Sequence, residues 1–496
     1  SDVYKRQLDS TRAVDATSQR LLGLVSFGLV RAESFTPQPG AMTLLQADNH
    51  QHFTFQLNPL TRHDGAPLTV DHIIDFYRRL GDPTQPTPLK ALADKIKQIE
   101  RVDNQTLRFS LHAPAPWLWV PNSLFSLPLT WPATTGETAQ RRLERIGLGP
   151  YQVTEFTPRR TVLTASATAP ATAPRQVVFT VVPDPAVRLL KLRNDELDIV
   201  QDDLPLELFT HAAKTQAGQL TALTHRPGSS YTYLGFLHTH PILRDVRVRL
   251  ALAHATDLPA LRTYLLQGLA DPAQSLLMPD HPAYWPAPDY GFNPAQAAAL
   301  LEAAGYPANP QTGQRLQLEL TISSNPLIFR VAQALQQQWA QVGVVLELRT
   351  LEWASFFTSV QQGQAPLYIM NWVGRYHPDI YAQVFHQRAQ PPAGLNRGRV
   401  ANATLNSWLD ELATTSGPAA LLRAHQVQQY QHQQVLYLPL WRLPRLALVS
   451  NRLTGYQVNA DGDYRGVLTT RAQTTAPAPA QAGAQPAGQL GAATPQ

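Results

Sequence analysis

Residues 344–372 read VVLELRTLEWASFFTSVQQGQAPLYIMNW. Val344 to Leu351 and Leu367 to Trp372 are short runs rich in branched and aromatic side chains, the composition of β-strands. Between them, Trp353 to Val360 has the spacing of a short amphipathic helix, with Trp353 read as core. Strand, helix and strand in that order describe a sheet with a crossover helix. Ligands in such sheets bind near strand ends, which singles out the residues immediately after Trp372.

The same grammar extends upstream. Val177 to Val182 (VVFTVV) reads as a fully buried strand running into a helix over Pro185 to Arg193. His52 to Leu57 and Leu107 to His112 alternate apolar and polar residues, as half-buried strands do. Thr69 caps a helix whose apolar positions Val70, Ile73, Ile74, Tyr77 and Leu80 follow the 3.6-residue period. Asp184-Pro185, Asn293-Pro294 and Asn325-Pro326 each pair a capping side chain with proline at the first helical position. Gly305 and Gly343 stand where left-handed C-terminal caps are needed. The fold class is therefore α/β, with mixed sheets carrying helices on both faces.

With 496 residues the chain is long enough for two or three domains, and 44% hydrophobic against 16% charged residues describes a globular protein. Cysteine is absent, which excludes disulfides, thiolate metal sites and a thiol nucleophile. The formal charge of +5 comes almost wholly from scattered arginines without interleaved aromatics, so no nucleic-acid partner is expected. Leu21 to Val30 is too short to span a bilayer and reads as a buried helix. Ser1 to Gln7 (SDVYKRQ) looks foreign to the rest of the chain. We expect the natural N-terminus, with any signal peptide, to be missing from this chain. From about Ala472 the chain is almost only Ala, Pro, Gln, Gly and Thr, a composition expected to stay disordered.

Catalytic signatures are not found. There is no G-x-S-x-G elbow, no H-E-x-x-H helix and no phosphate-binding glycine loop. The closest histidine pairs (His50/His52, His238/His240, His425/His432) lack the carboxylates that would complete a metal site, so neither metal nor cofactor is expected. His63-Asp64-Gly65 reads as a polar turn with Gly65 left-handed, before the capped helix. An enzyme is not expected.

Several segments resemble, in order, the family 5 extracellular solute-binding proteins of ABC importers. Phe53 to Val70 (FTFQLNPLTRHDGAPLTV) resembles that family's strand, basic turn and H-D-G-x-P-L-T run. Ile146 to Tyr151 (IGLGPY) resembles its G-x-G-P-Y turn, and Val181 to Val200 its helix followed by "GELD", here with Asn194-Asp195 in place of glycine. Leu243 to Asp257 (LRDVRVRLALAHATD) and Pro294 to Tyr306 (PAQAAALLEAAGY) are similar to two of its helices. The resemblance implies a two-lobed periplasmic-binding-protein (Venus flytrap) fold closing on a ligand. Lobe I would span residues 8–232, with an inserted subdomain at roughly 35–150, lobe II 233–440, and a return segment 441–471 would complete lobe I. Crossings are expected near Ser230 to His238 and Leu438 to Val449. It also implies a peptide ligand, a membrane permease as partner, a monomer, no cofactor, and a place in the periplasm or on the outer side of the cytoplasmic membrane. Same-fold rivals bind a metal chelate, haem, an opine or a sugar; a sensory or chaperone-like module is a rival of a different class.

In peptide-binding relatives a tryptophan is followed three residues on by an aspartate that pairs with the peptide ammonium. Here the segment is Trp372-Val373-Gly374-Arg375-Tyr376-His377-Pro378-Asp379, and Arg375 reverses the charge. Two readings stay open: Asp379 takes the ammonium, or Arg375 grips a carboxylate through its planar fork. Trp372 is a candidate stacking wall. Asn396 and Arg397, in the loop Pro391 to Val400, are candidate donors to peptide carbonyls or a C-terminus. Tyr231, Tyr233 and Phe236 alternate at the first crossing, so some of them should face the cleft; Tyr233 and Phe236 join the candidate set.

Overall fold

The computed structural model describes residues 8–13, 16–31, 37–84, 87, 89–115, 123–132, 145–374, 376–392 and 394–473. Ser1 to Gln7, Arg375 and the tail from residue 474 lie outside the described residues. Among those described, no helix is long and apolar enough to cross a membrane.

The organising element is a five-stranded mixed sheet, in the order Val344–Leu351, Leu316–Ser323, Leu367–Val373, Ser230–Phe236, Tyr437–Trp441. The first three strands are parallel, joined through the helices Pro326–Ala340 and Trp353–Gln361, as their order in the sequence requires. The expected caps form: Val187 N–H donates to Asp184 at 2.8 Å, Gln296 N–H to Asn293 at 3.0 Å and Leu327 N–H to Asn325 at 2.9 Å. Gly305 and Gly343 carry φ of 91° and 81°. Strand alternation then divides the side chains between two faces. Leu234, Phe236, Leu367, Ile369, Leu438 and Leu440 pack against the helices Val246–His254, Pro294–Ala303 and Pro326–Ala340. Tyr231, Tyr233, Tyr368, Met370, Trp372 and Tyr437 face the helices Trp353–Gln361, Ile380–Phe385, Ala403–Thr414 and Gly417–Gln433.

A second body is built from smaller antiparallel sheets. One holds the C-terminal strand Arg445–Ser450 between Ile199–Gln201 and Leu220–His225. Another orders Gln176–Thr180, Arg160–Ala165 and Tyr151–Phe156. The inserted sheet runs Met42–Asp48, His52–Leu57, Thr106–Leu111, Ile96–Arg101, with the helix Val70–Gly81 packed on it around an aromatic core of Phe53, Phe55, Phe76, Tyr77, Phe109 and Phe125. His63 ties two of the quoted motifs together. Its ring bonds the Gly149 carbonyl at 2.9 Å and accepts the Gly147 N–H at 3.2 Å, with Gly65 left-handed at φ 81°.

The chain changes sheets over Arg226–Ser229 and again over Arg442–Pro444, and the flanking strands are paired neighbours on both sides. Ser230–Phe236 belongs along its whole length to the five-stranded sheet, so the first crossing stands before the expected stretch. Two strands passing this close need Gly228, where a Cβ would strike the Leu443 carbonyl. Arginines hold the junction. Arg226 pairs bidentately with Asp271 at 2.8–3.2 Å, and the Asp271 and Arg442 backbones bond each other at 2.8 and 2.9 Å. Arg445 reaches Asp202 at 3.3 Å and the Ser229 hydroxyl at 2.9 Å.

Two expectations are corrected. Val177 to Val182 is an edge strand, not a fully buried one: Gln176–Thr180 alternates, and Val178 is 42% exposed. It borders, with the other edge strand Ile199–Gln201, a cavity of about 370 Å³. The buried helix near the N-terminus is Ala16–Val25, ending earlier because the chain at Gly28 lies directly on the Phe125–Ser126 backbone. Arg471–Ala472 pairs with Leu453–Thr454 where the described residues end.

Candidate functional site

The site begins where the strand Leu367–Val373 ends against the crossing chain. The strand's last turn outward is anchored by the Gly374 N–H, which donates to the Ser229 carbonyl at 3.3 Å. Gly374 has φ of 135°, a conformation that side chains resist, so glycine allows the chain to leave the sheet there. The Tyr376 hydroxyl then donates to the Val373 carbonyl at 2.7 Å, closing a tight loop. Burial pushes this phenol up to about 12, so it stays a donor at neutral pH. His377 is buried beside His281, Nδ1 to Nε2 at 3.3 Å, and pins the loop from below.

Trp372 forms the wall of this site and is 8% exposed. Its ring lies parallel to Tyr233 at 6.2 Å and meets Tyr376 edge-on at 6.4 Å. The Arg397 guanidinium sits 4.8 Å from the Trp372 ring centre and 5.5 Å from that of Phe357, an arrangement favourable to both. Tyr233 stacks in turn on Tyr437 at 4.0 Å. Burial holds the Tyr233, Tyr368 and Tyr437 phenols above their ordinary value, so all three are neutral O–H groups.

Asp379 ends the segment. It precedes the helix Ile380–Phe385, is half-buried, and accepts a bond from Gln383 Nε2 at 3.2 Å. Burial pushes its carboxyl up to about 6, against the opposing pull of Lys95 and the Gln383 bond. Lys95 immediately precedes the inserted-sheet strand Ile96–Arg101, so the segment faces the other body of the molecule.

The structure thus brings together Trp372, Val373, Gly374, Tyr376, Asp379, Arg397 and Tyr233. Arg375 lies outside the described residues. Phe236 does not join them: it is fully buried on the opposite sheet face, an odd number of residues from Tyr233. Asn396 is spent on the loop backbone. Its Nδ2 donates to the carbonyls of His386 at 3.1 Å and Val400 at 2.8 Å, and its Oδ1 accepts the Val400 N–H at 2.9 Å. It positions Arg397 and has little left for a ligand. Trp353 corrects the expectation of a core residue. It is 53% exposed, because at the first helical turn its side chain points away while Phe356 and Val360 carry the packing. It extends the aromatic series outward, 6.2 Å from Phe357. Phe357, Tyr368, Tyr437 and Lys95 were not found from sequence. Aromatic residues recur at even spacing on the strands Ser230–Phe236 (Tyr231, Tyr233) and Leu367–Val373 (Tyr368, Trp372), but which strands are neighbours is a matter of pairing.

Among the described residues no three His, Asp or Glu side chains gather as a metal site. The arrangement offers donors, aromatic faces and one titratable carboxylate at a junction between bodies, which suits holding a solute.

Comparison with known proteins agrees. The model of the bacterial extracellular solute-binding proteins, family 5, middle region, matches residues 36–388. The probable di/tripeptide-binding protein 5 of Pseudomonas aeruginosa is 27% identical over 85% of this chain and 82% of its own. The dipeptide-binding protein of Escherichia coli is 26% identical over 75% and 71% respectively. Among solved structures, NikA of Brucella suis in complex with Fe(III)-EDTA superposes with a TM-score of 0.81 at 20% identity, covering 94% of this chain and 97% of that one. DppA of Helicobacter pylori in complex with the peptide STSA gives 0.74 at 17%, covering 94% and 96%. The two-body architecture is thus that of the two-lobed binding proteins, and the chain belongs to the family 5 extracellular solute-binding proteins.

Proposed function

We propose that this protein captures peptides outside the cytoplasmic membrane, in the periplasm where there is one, and delivers them to the permease of an ABC importer. The observation that carries this reading is that the segment after Trp372 is tied to the crossing at its start and borders the inserted sheet at its end. Asp379 at the end of the wall segment is acted on by Lys95 of the inserted sheet, while the segment's start is bonded to the crossing chain at Ser229. A ligand at the wall is therefore in reach of both lobes and of the hinge. Its contacts favour the closed arrangement, and the permease reads that difference in affinity between states. Lobe I comprises the chain up to Gly228 and from Leu443 onward; lobe II lies between. The receptor works as a monomer and uses no cofactor.

In this reading Trp372, backed by the fully buried Tyr233, stacks against a ligand side chain, and Val373 and Gly374 offer backbone groups. Tyr376 shapes the rim, and Asp379 takes a positively charged end. The peptide relatives at 26–27% identity, named for di- and tripeptides, support the ligand class. A non-peptide anion is the second reading, favoured by the Arg397 guanidinium, which has no carboxylate partner among the described residues. Native mass spectrometry of protein purified without refolding separates the two. A ladder of peptide masses supports the proposal, and a single non-peptide mass overturns it.

A further inference from the structure

We propose that the wall built on Trp372 receives a carboxylate of the ligand on Arg397, and that this receptor selects peptides by a free carboxylate more strongly than by a free ammonium. The inference rests on the peptide-receptor reading above and deepens it.

The wall is rich in donors, and among the described residues its side-chain acceptors are neutral phenol oxygens. Arg397 is 6% exposed, its Nε has no acceptor, and no carboxylate lies within ion-pair distance of it among the described residues. The indole Nε1 of Trp372, a donor and never an acceptor, is buried without a partner. The hydroxyls of Tyr368, Tyr233 and Tyr437 make no well-formed hydrogen bond either, although Tyr233 lies close enough to Arg397 and Tyr437 for both to act on it. Buried polar groups are satisfied in nearly all folded proteins, and a cluster of donors left open at a pocket wall is completed by an acceptor from outside. A carboxylate is the acceptor that a guanidinium fork fits.

The local charge points the same way. Arg442, at the crossing, is a second buried cation. It donates to the carbonyls of Ser275 at 2.6 Å and Leu277 at 2.8 Å and lies 5.5 Å from the Tyr231 ring centre. Both guanidiniums act on the Tyr376 hydroxyl. In sequence, Arg375 adds a further cation to the segment Trp372 to Asp379, in which Asp379 is the only carboxylate. Asp379 sits at the far end of the segment and accepts a bond from Gln383. Arg397 and Arg442 together make the wall electropositive.

The test is isothermal titration calorimetry at pH 7.5 with trialanine in three forms: both ends free, C-terminally amidated, and N-acetylated. A fourth probe, amidated Ala-Glu-Ala, carries a side-chain carboxylate only. We expect amidation to weaken binding at least tenfold and acetylation less than threefold. Recovery by amidated Ala-Glu-Ala identifies a side chain as an acceptable source of the carboxylate; no recovery restricts it to the C-terminus, and either supports the site. In Arg397→Gln the free and amidated peptides should bind alike, whereas Arg397→Lys should retain part of the difference. Equal binding of free and amidated peptide by the unmutated protein overturns the inference while leaving the receptor reading intact, whether or not any variant folds. So does an undiminished amidation penalty in a folded Arg397→Gln. Failure of every peptide form to bind removes both.

Discussion

The two faces of the five-stranded sheet use alternate residues of the same strands and do opposite things. One face is aliphatic: Trp339 Nε1 there donates to Thr256 Oγ1 at 3.0 Å, while Trp441 Nε1 and Thr232 Oγ1 stand without a partner. The other, built from Tyr233, Tyr368, Trp372 and Tyr437, is aromatic and leaves its donors open. Burial is nearly the same on both, so burial alone does not separate a core from a binding wall. The difference lies in the side chains themselves: one face gathers phenols and an indole beside the buried Arg397 guanidinium, and the other packs aliphatic groups on three helices.

Truncating each face should therefore be felt in different measurements. Trp339→Ala removes a fully buried ring from the aliphatic face and is expected to cost about 4 kcal/mol in denaturant unfolding, with peptide affinity of the folded fraction unchanged. Trp372→Ala should add an affinity loss that Trp339→Ala lacks. Affinity should fall about a hundredfold by calorimetry, roughly 2.7 kcal/mol, alongside a stability loss of about 3 kcal/mol from the buried ring. Equal losses in both assays for both variants would erase the distinction. Between the faces lies the crossing, where Gly228→Ala sets a methyl group against the Leu443 carbonyl. We expect about 2 kcal/mol of destabilisation and a shift in lobe closure visible by small-angle scattering.

The smallest effect sits at the rim and has a definite sign. The folded-state carboxyl of Asp379 lies at about 6, above its ordinary 3.8, so the folded protein binds this proton more readily than the unfolded one. Its contribution is fully present below about pH 4 and is lost as the pH rises through 6. Asp379→Asn should then stabilise the ligand-free protein at pH 7 by on the order of 1 kcal/mol, after allowance for solvent screening, with the gain vanishing near pH 4. A destabilised Asn variant at pH 7 would mean that Asp379 is a structural ion-pair partner.

Much of this was legible in the sequence because the signals are local. Asn325-Pro326, Gly343 and the strands on either side of Trp353 are set by neighbours within a few residues, and they appear as read. The candidate segment Trp372 to Asp379 was located by resemblance and by its place at a strand end. What could not be read depends on pairing. Phe236 and Tyr233 are both aromatic residues on one strand, and only the register with Leu367–Val373 decides that Tyr233 shares a face with Trp372. Val177 to Val182 looks like a central strand because its residues are apolar, yet its sheet ends there. Trp353 has helical spacing, but its position in the first turn exposes it. Asn396 has the chemistry of a ligand donor, and the loop's own carbonyls take it first.

The claim that the aromatic face binds and the aliphatic face only folds can be tested by hydrogen–deuterium exchange with and without bound peptide. We expect new protection in residues 374–379 and 386–400 and at the crossings 226–229 and 442–444, with the strand Leu316–Ser323 and the helix Pro326–Ala340 unchanged. Protection appearing instead around Gln176–Thr180 and Ile199–Gln201, with the Trp372 segment unaltered, would contradict it.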